Sequence, residues 1–547
     1  MTYTVMDKRM QRNDIMTTCY TNARIFTADG RKAKCFVVRE GKFAYVGSAD
    51  QAKKLFPDAQ HVDLNDRFVC PGFNDSHMHL LNLGSMLTQA QLAPATDSLA
   101  HVLSTLADYA QAHAEEDWII GRGWNHDDFT DDARYPTRDD LDRVCPDRPC
   151  LITRACGHVA VANSRALALA GIDQIAPAVA GGRVVTGENG RPNGVLEENA
   201  IDLVNNAIPA PDRRQIKESL RIAMVHVNSF GITSVQTDDF SSTKAPFEEV
   251  IAAYLELKEE GALTVRITEQ CLLADKDTLQ RFLDQGYNTG WGDEWFRVGP
   301  LKLICDGSLG SRTAYLNAPY ADAPDTCGIA TYSQEALNSL VLAAHQAGMQ
   351  IAAHAIGDGA ADRVLTAIEY AQKNCPRSDA RHGIVHAQIL TQEQARRMAQ
   401  LGMHAYIQPI FLDYDTKIVY PRLGDRADEA YPAASFLRLG VSISSGSDSP
   451  VEPPDVMTGI QCAVTRMPVT RAADRPYLPG EALTMTQALL SFTAYGAYSS
   501  FESEIKGRIR EGMLADFAVL GIDPFETDPK WIHKIPVRQT YVGGNQV

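Results

Sequence analysis

The chain has 547 residues, more than one simple core usually holds, so several structural units are expected. Its apolar share of 45% and charged share of 22% are those of an ordinary globular chain, which argues against a fibrous or disordered class. The net charge of −16 leaves no basic excess for nucleic acid, and no run approaches the roughly 20 apolar residues of a membrane span.

Residues 1–18 carry Asp7, Lys8, Arg9, Arg12 and Asp14 and lack an apolar signal core. They read as a flexible tail, not a secretory leader. Residues 19–70 contain strand candidates at 23–27, 35–38 and 43–47, punctuated by Gly30 and Gly41. The segments 515–520 and 537–544 repeat that texture. The two ends, 19–70 and 501–547, are therefore expected to build one small β-sandwich domain around the rest of the chain.

In residues 71–500, apolar strand candidates at 231–235, 265–273, 302–305, 350–355, 383–386, 404–408 and 441–445 alternate with helical stretches at 276–283, 334–347, 359–373 and 392–401. Such alternation predicts the α/β class, as a (β/α)8 TIM barrel. About 90–220 do not fit a minimal barrel and read as a large insertion after barrel strand 1. The eleven cysteines show no C-x-x-C spacing, the pattern of thiols in a reducing cytoplasm.

Five motifs place a metal-ligating side chain where a strand stops. They are Pro71-Gly72-Phe73-Asn74-Asp75-Ser76-His77-Met78-His79, Lys302-Leu303-Ile304-Cys305-Asp306-Gly307, His354-Ala355-Ile356-Gly357-Asp358, Ile384-Val385-His386-Ala387-Gln388 and Gly446-Ser447-Asp448-Ser449-Pro450. His77 and His79 share one strand face because side chains alternate with period two. Imidazole and carboxylate suit zinc and its neighbours. Most of the fourteen histidines are expected to be structural, and Cys305 reads as a packed strand residue beside Lys302. Lys302 has two readings: a salt bridge to Asp306, which would leave a mononuclear site, or membership of the metal centre. Gly121-Arg122-Gly123-Trp124 and Gly357-Asp358-Gly359 lack the dinucleotide pattern.

In this order the motifs resemble the amidohydrolase superfamily, and within it the amidohydrolase family 3 branch that includes N-substituted formamide deformylases. Asn22-Ala23-Arg24-Ile25-Phe26-Thr27, Asp306-Gly307-Ser308-Leu309-Gly310-Ser311-Arg312-Thr313-Ala314 and Gly512-Met513-Leu514-Ala515-Asp516-Phe517-Ala518-Val519-Leu520 extend the likeness over nearly the whole chain. The resemblance implies two divalent metals, zinc first among them. His77 and His79 would bind one metal and His354 and His386 the other. Lys302, carboxylated by carbon dioxide, would bridge them. Asp448 would bind the first metal and move protons. A metal-bound hydroxide would then cleave a C–N bond of amide, N-acyl or formamide type in a small molecule. Trp124, His158 and Arg312 are candidate substrate contacts, and a homodimer fits the family. A deaminase is the alternative, disfavoured because no His-x-x-Glu pattern follows His354 or His386. A catalytically dead scaffold is a third reading, disfavoured because every ligand position is kept.

Overall fold

The computed structural model describes residues 17–547, so the expected tail falls outside the described residues up to position 16, and Thr17 and Thr18 already belong to a strand. Two compact units divide the chain.

The first unit holds both chain ends and the barrel. Eight strands form one parallel sheet in chain order: barrel strand 1 (Phe73–Met78), 2 (Ile232–Thr237), 3 (Arg266–Leu272), 4 (Phe296–Ile304), 5 (Ile351–Ala355), 6 (Gly383–His386), 7 (His404–Ile407) and 8 (Ser442–Ser445). Parallel strands covered on both faces are buried throughout, and here that burial takes in polar residues as well, as in strand 1, Phe73-Asn74-Asp75-Ser76-His77-Met78. The sheet is nearly closed. Strands 1 and 8 share no ladder, but near their C-terminal ends Asp448 N donates to His77 O and His79 N to Ser449 O, each at 2.8 Å.

Helices between strands begin on local caps. Thr391 and Gln394 form a reciprocal capping box before Gln392–Gln400, and Asp275 accepts from Thr278 N ahead of Lys276–Asp284. The strand ends, and with them the motif residues, are set by such short-range signals.

In the same unit the two chain ends meet in one seven-stranded sheet. Its long strand Gln60–Pro71 pairs in parallel with Thr17–Ile25 and antiparallel with Phe517–Leu520. Tyr20 and Phe36 from the front of the chain pack with Phe517 and Tyr541 from the back, with ring centroids 4.3–5.7 Å apart among them. Arg266 of barrel strand 3 donates to Asp516 through both Nε (2.6 Å) and Nη2 (3.0 Å), a buried fork-to-fork pair that ties the C-terminal segment to the barrel.

The second unit comprises Leu83–Ile222 and Thr243–Glu249. It has its own six-stranded sheet and its own core, with Leu92, Leu106, Trp124 and Ile152 at its centre. Among the described residues no helix is long and apolar enough to cross a membrane.

Candidate metal centre

Barrel strand 1 delivers His77 near its last position and His79 just beyond it. Both Nε2 atoms face one carboxylate oxygen, Asp448 Oδ1, at 3.3 and 3.2 Å. These three side chains offer donor atoms that all lie within 4.8 Å of one another. Lys302, near the end of barrel strand 4, brings Nζ to 3.0 Å from His77 Nε2. His386 and His354 complete the cluster. The His386 ring lies 5.7 Å from that of His77 and 4.4 Å from that of His354. Four barrel strands and the loop after a fifth thus bring six predicted residues to one end of the barrel.

The rings are aimed by their second nitrogens. His77 Nδ1 donates to Gln270 Oε1 at 2.7 Å, His79 Nδ1 to the Asp238 carbonyl at 3.0 Å, and His386 Nδ1 to Gln408 Oε1 at 2.8 Å. Acceptors at Nδ1 fix the proton there and leave Nε2 as a lone-pair donor, the usual arrangement behind a metal ligand. His354 Nδ1 lies 2.9 Å from Asp306 Oδ1, within ion-pair range. The donor set of imidazoles and a carboxylate fits a divalent cation.

Electrostatics point the same way. Burial, then the Lys302 charge, lowers the His77 imidazole to about 3, and burial holds His386 well below its usual range. Both rings are thus neutral and free to donate lone pairs. Burial raises the Asp448 carboxyl, but the adjoining His77 and His79 imidazoles outweigh it and hold the group ionised, well below the usual carboxylate range. Burial depresses the Lys302 ammonium, against the pull of Asp238 and Asp448. Lys302 does not pair with Asp306, whose carboxylate instead accepts the backbone N–H groups of Tyr315, Ile356 and Gly357 at 2.8–3.1 Å. Cys305 is buried beside it, with its thiol pushed up by burial, the behaviour of a packing residue.

Two features behind the ligands escape a sequence reading. Asp75 is buried under the loop that carries Asp448 and accepts from Ser447 N (3.1 Å), Ser447 Oγ (2.5 Å) and His77 N (3.2 Å); burial still pushes its carboxyl up to about 7. A Cβ at Gly446 would meet His77 N at 2.6 Å, so only glycine lets that loop approach strand 1. Gln408 directly follows strand 7, and Gln270 lies in strand 3 among the polar residues Arg266, Thr268 and Glu269, so no local pattern flags Gln270.

Each of the three candidate substrate contacts is engaged by its own surroundings. Arg312 donates to Asp322 through Nε (3.0 Å) and Nη2 (2.9 Å). His158 is exposed and bonded to Glu198 at 2.9 Å, and Trp124 is fully buried in the core of the second unit.

The model of the amidohydrolase family matches residues 60–547. YtcJ of Bacillus subtilis is 33% identical, over 95% of this chain and 96% of its own. The N-substituted formamide deformylase of Arthrobacter pascens is 28% identical, over 98% of both. Among solved structures, an uncharacterized metal-dependent hydrolase from Pyrococcus furiosus superposes with a TM-score of 0.78 at 27% identity, covering 93% of this chain and all of that one. With a nearly closed parallel barrel and this convergence of histidines, lysine and aspartate at one end of it, the chain belongs to the amidohydrolase family.

Proposed function

We propose that the protein hydrolyses a C–N bond of amide, N-acyl or formamide type in a small molecule, with two zinc ions held by His77, His79, Lys302, His354, His386 and Asp448. The observation that carries this reading is the meeting of His77, His79 and Asp448 at 3.2–3.3 Å beside the buried Lys302 amine. Divalent cations in such a site supply Lewis acidity and a nucleophilic water at neutral pH.

The remaining work falls to the chain. Lys302, with a depressed pKa, has access to its neutral form, whose Nζ adds to the carbon of carbon dioxide. An N–C bond forms as a carbon dioxide C=O π bond breaks, one proton leaves, and the resulting carbamate offers two oxygens sharing one negative charge in place of a cation. Asp448, ionised and anchored by its own backbone to His77 O, accepts a proton from the attacking water and returns it to the departing nitrogen. Gln270, Gln408 and the Asp238 carbonyl keep the rings in the required tautomer. His158 and Arg312, on the surface, serve as proposed substrate contacts, and Trp124 shapes the core of the second unit. The same reading carries a cytoplasmic setting, no nucleic-acid or membrane partner, and a homodimer.

The test is metal content per chain by mass spectrometry on wild type and Lys302→Ala, together with hydrolysis of a formamide and amide panel. About two metals falling toward one or none in the variant is expected. One metal in both proteins would overturn the bridging role of Lys302 and favour a mononuclear aminohydrolase. No metal in protein purified without chelator would overturn the hydrolase and leave a scaffold.

A further inference from the structure

Backbone ladders join neighbouring strands of the barrel at every seam except the one between strands 8 and 1. That seam carries three of the proposed ligands, His77 and His79 on its strand 1 side and Asp448 on the loop after strand 8. A side chain spans it. Asp75 is fully buried, and its carboxylate serves both sides. Toward strand 1, Oδ1 accepts from His77 N at 3.2 Å. Toward the loop, both oxygens accept from Ser447 N at 3.1 Å, and Oδ2 accepts from Ser447 Oγ at 2.5 Å. Ser447 Oγ in turn accepts from Ser449 N at 3.0 Å. The residues on either side of Asp448 are thus tied, directly or through one hydroxyl, to a single carboxylate.

Asp448 is a residue that must be held. Its φ is +59°, in the left-handed region that a side chain with a β-carbon rarely adopts unless its surroundings impose it. Gly446 lets the loop come down on Asp75, since a Cβ there would meet Asp75 Oδ1 at 2.7 Å. A buried carboxylate persists where hydrogen bonds offset its lost hydration. Here the donors are His77, a proposed ligand, and Ser447, the neighbour of another.

We propose that Asp75 is a positioning residue: its carboxylate latches the Asp448 loop onto strand 1 and so sets the spacing of Asp448 Oδ1 from the His77 and His79 Nε2 atoms before any metal binds. The latch works through accepted hydrogen bonds, since its donors are neutral N–H and O–H groups. This inference rests on the hydrolase reading, which makes those three residues ligands, and adds the group that preorganises them.

The test compares wild type with Asp75→Leu, which removes the acceptors, and Asp75→Asn, which keeps Oδ1 for the two N–H groups and can donate to Ser447 Oγ. Hydrogen exchange over residues 446–450 is read on metal-free protein, and zinc affinity by competition with a chelator. Asp75→Leu is expected to speed exchange by about 10-fold and to weaken zinc by about 10- to 100-fold. Asp75→Asn is expected to recover most of both. Wild-type behaviour in Asp75→Leu would overturn the latch. Faster exchange with unchanged zinc affinity would make Asp75 a merely structural residue of the seam, and Asp75→Asn as impaired as Asp75→Leu would replace hydrogen bonding by charge; either overturns the proposal. Where Asp75→Leu does not fold, Ser447→Ala, which leaves Asp75 in place, is expected to move both readouts the same way by a smaller factor, and no movement would overturn the proposal. Exchange needs neither metal nor turnover, so a wild type that binds no zinc would remove the hydrolase reading while the latch is still read by exchange.

Discussion

Two sets of buried histidines occupy the barrel unit, and they differ in what happens to the second ring nitrogen. In the body of the barrel both nitrogens are engaged by the protein. His345 bonds His382 through Nδ1 (2.7 Å) and the Cys375 carbonyl through Nε2 (2.6 Å), and His382 Nδ1 accepts from Ile351 N at 3.1 Å. His404 spans Ser442 and Ser444 at 2.8 and 2.7 Å. At the strand ends, His77, His79 and His386 give Nδ1 to a protein acceptor, and the other nitrogen of His77 and His79 is turned toward Asp448. Burial does not separate the two sets, since His77, His382 and His404 are all at most 2% exposed. What the second nitrogen meets does. The second nitrogen of a structural histidine meets a neutral group of the protein, whereas that of His77 and His79 is turned toward Asp448, with Lys302 also beside His77.

Substitutions on the two sides of this contrast should fail in different ways. The largest effect is expected at the strand ends. His77→Ala and Asp448→Asn should lower hydrolysis by at least about 10³-fold while circular dichroism melts stay near wild type. Loss of folding in parallel with activity would make these residues structural and break the comparison. On the other side, His382→Ala leaves Ile351 N and His345 Nδ1 without partners and should cost about 2–4 kcal/mol in urea unfolding, with metal content per folded chain unchanged.

A finer test separates aiming from ligation. Gln270→Leu and Gln408→Leu keep every proposed ligand but remove the acceptor behind a ring. Metal affinity by competition with a chelator should weaken about 10- to 100-fold, with little change in fold. An unchanged affinity would mean that the tautomers are fixed by something else.

Acid should expose the structural set. Burial lowers His382 to about 3, against about 6.5 in an unfolded chain. Between these values the unfolded state binds the extra proton, so the stability from the neutral ring is present above about 6.5 and is lost as pH falls toward 3. The slope is about 1.4 kcal/mol per pH unit for each such group. Urea midpoints of metal-saturated protein at pH 7.5, 5.5 and 4.5 would measure it, and a midpoint flat across that range would remove the account of the body histidines. The smallest effect is expected at the surface: His158→Ala should change stability by no more than about 0.5 kcal/mol.

Short-range signals made much of the barrel readable. Residues 383–386 are an apolar run ending in histidine, and they form barrel strand 6 with those limits. Other elements were disguised by their composition. Barrel strand 4 starts at Phe296, six residues before the expected start, because Gly299 and Pro300 interrupt its apolar run. The strand Gln60–Pro71 was not read at all. Its first half is mostly polar and exposed, and Asn65 and Asp66 adopt positive φ angles that bend it. The motif histidines were legible because ligand chemistry needs rare residue types at strand ends. Gln270, Gln408 and Asp75 were not, because each matters only through a partner far away in sequence.

The sequence by itself determined the kinds of donor atom available, their place at the ends of strands, and the parallel barrel that such alternation requires. These follow from local periodicity and side-chain chemistry. Tertiary structure alone decided that six of those residues converge at one end of the barrel, which ring nitrogen of each histidine is spent and which is spare, and that Asp75 joins strand 1 to the loop of Asp448. Those outcomes depend on burial and on hydrogen bonds across a hundred residues or more, where no pattern along the chain records who meets whom.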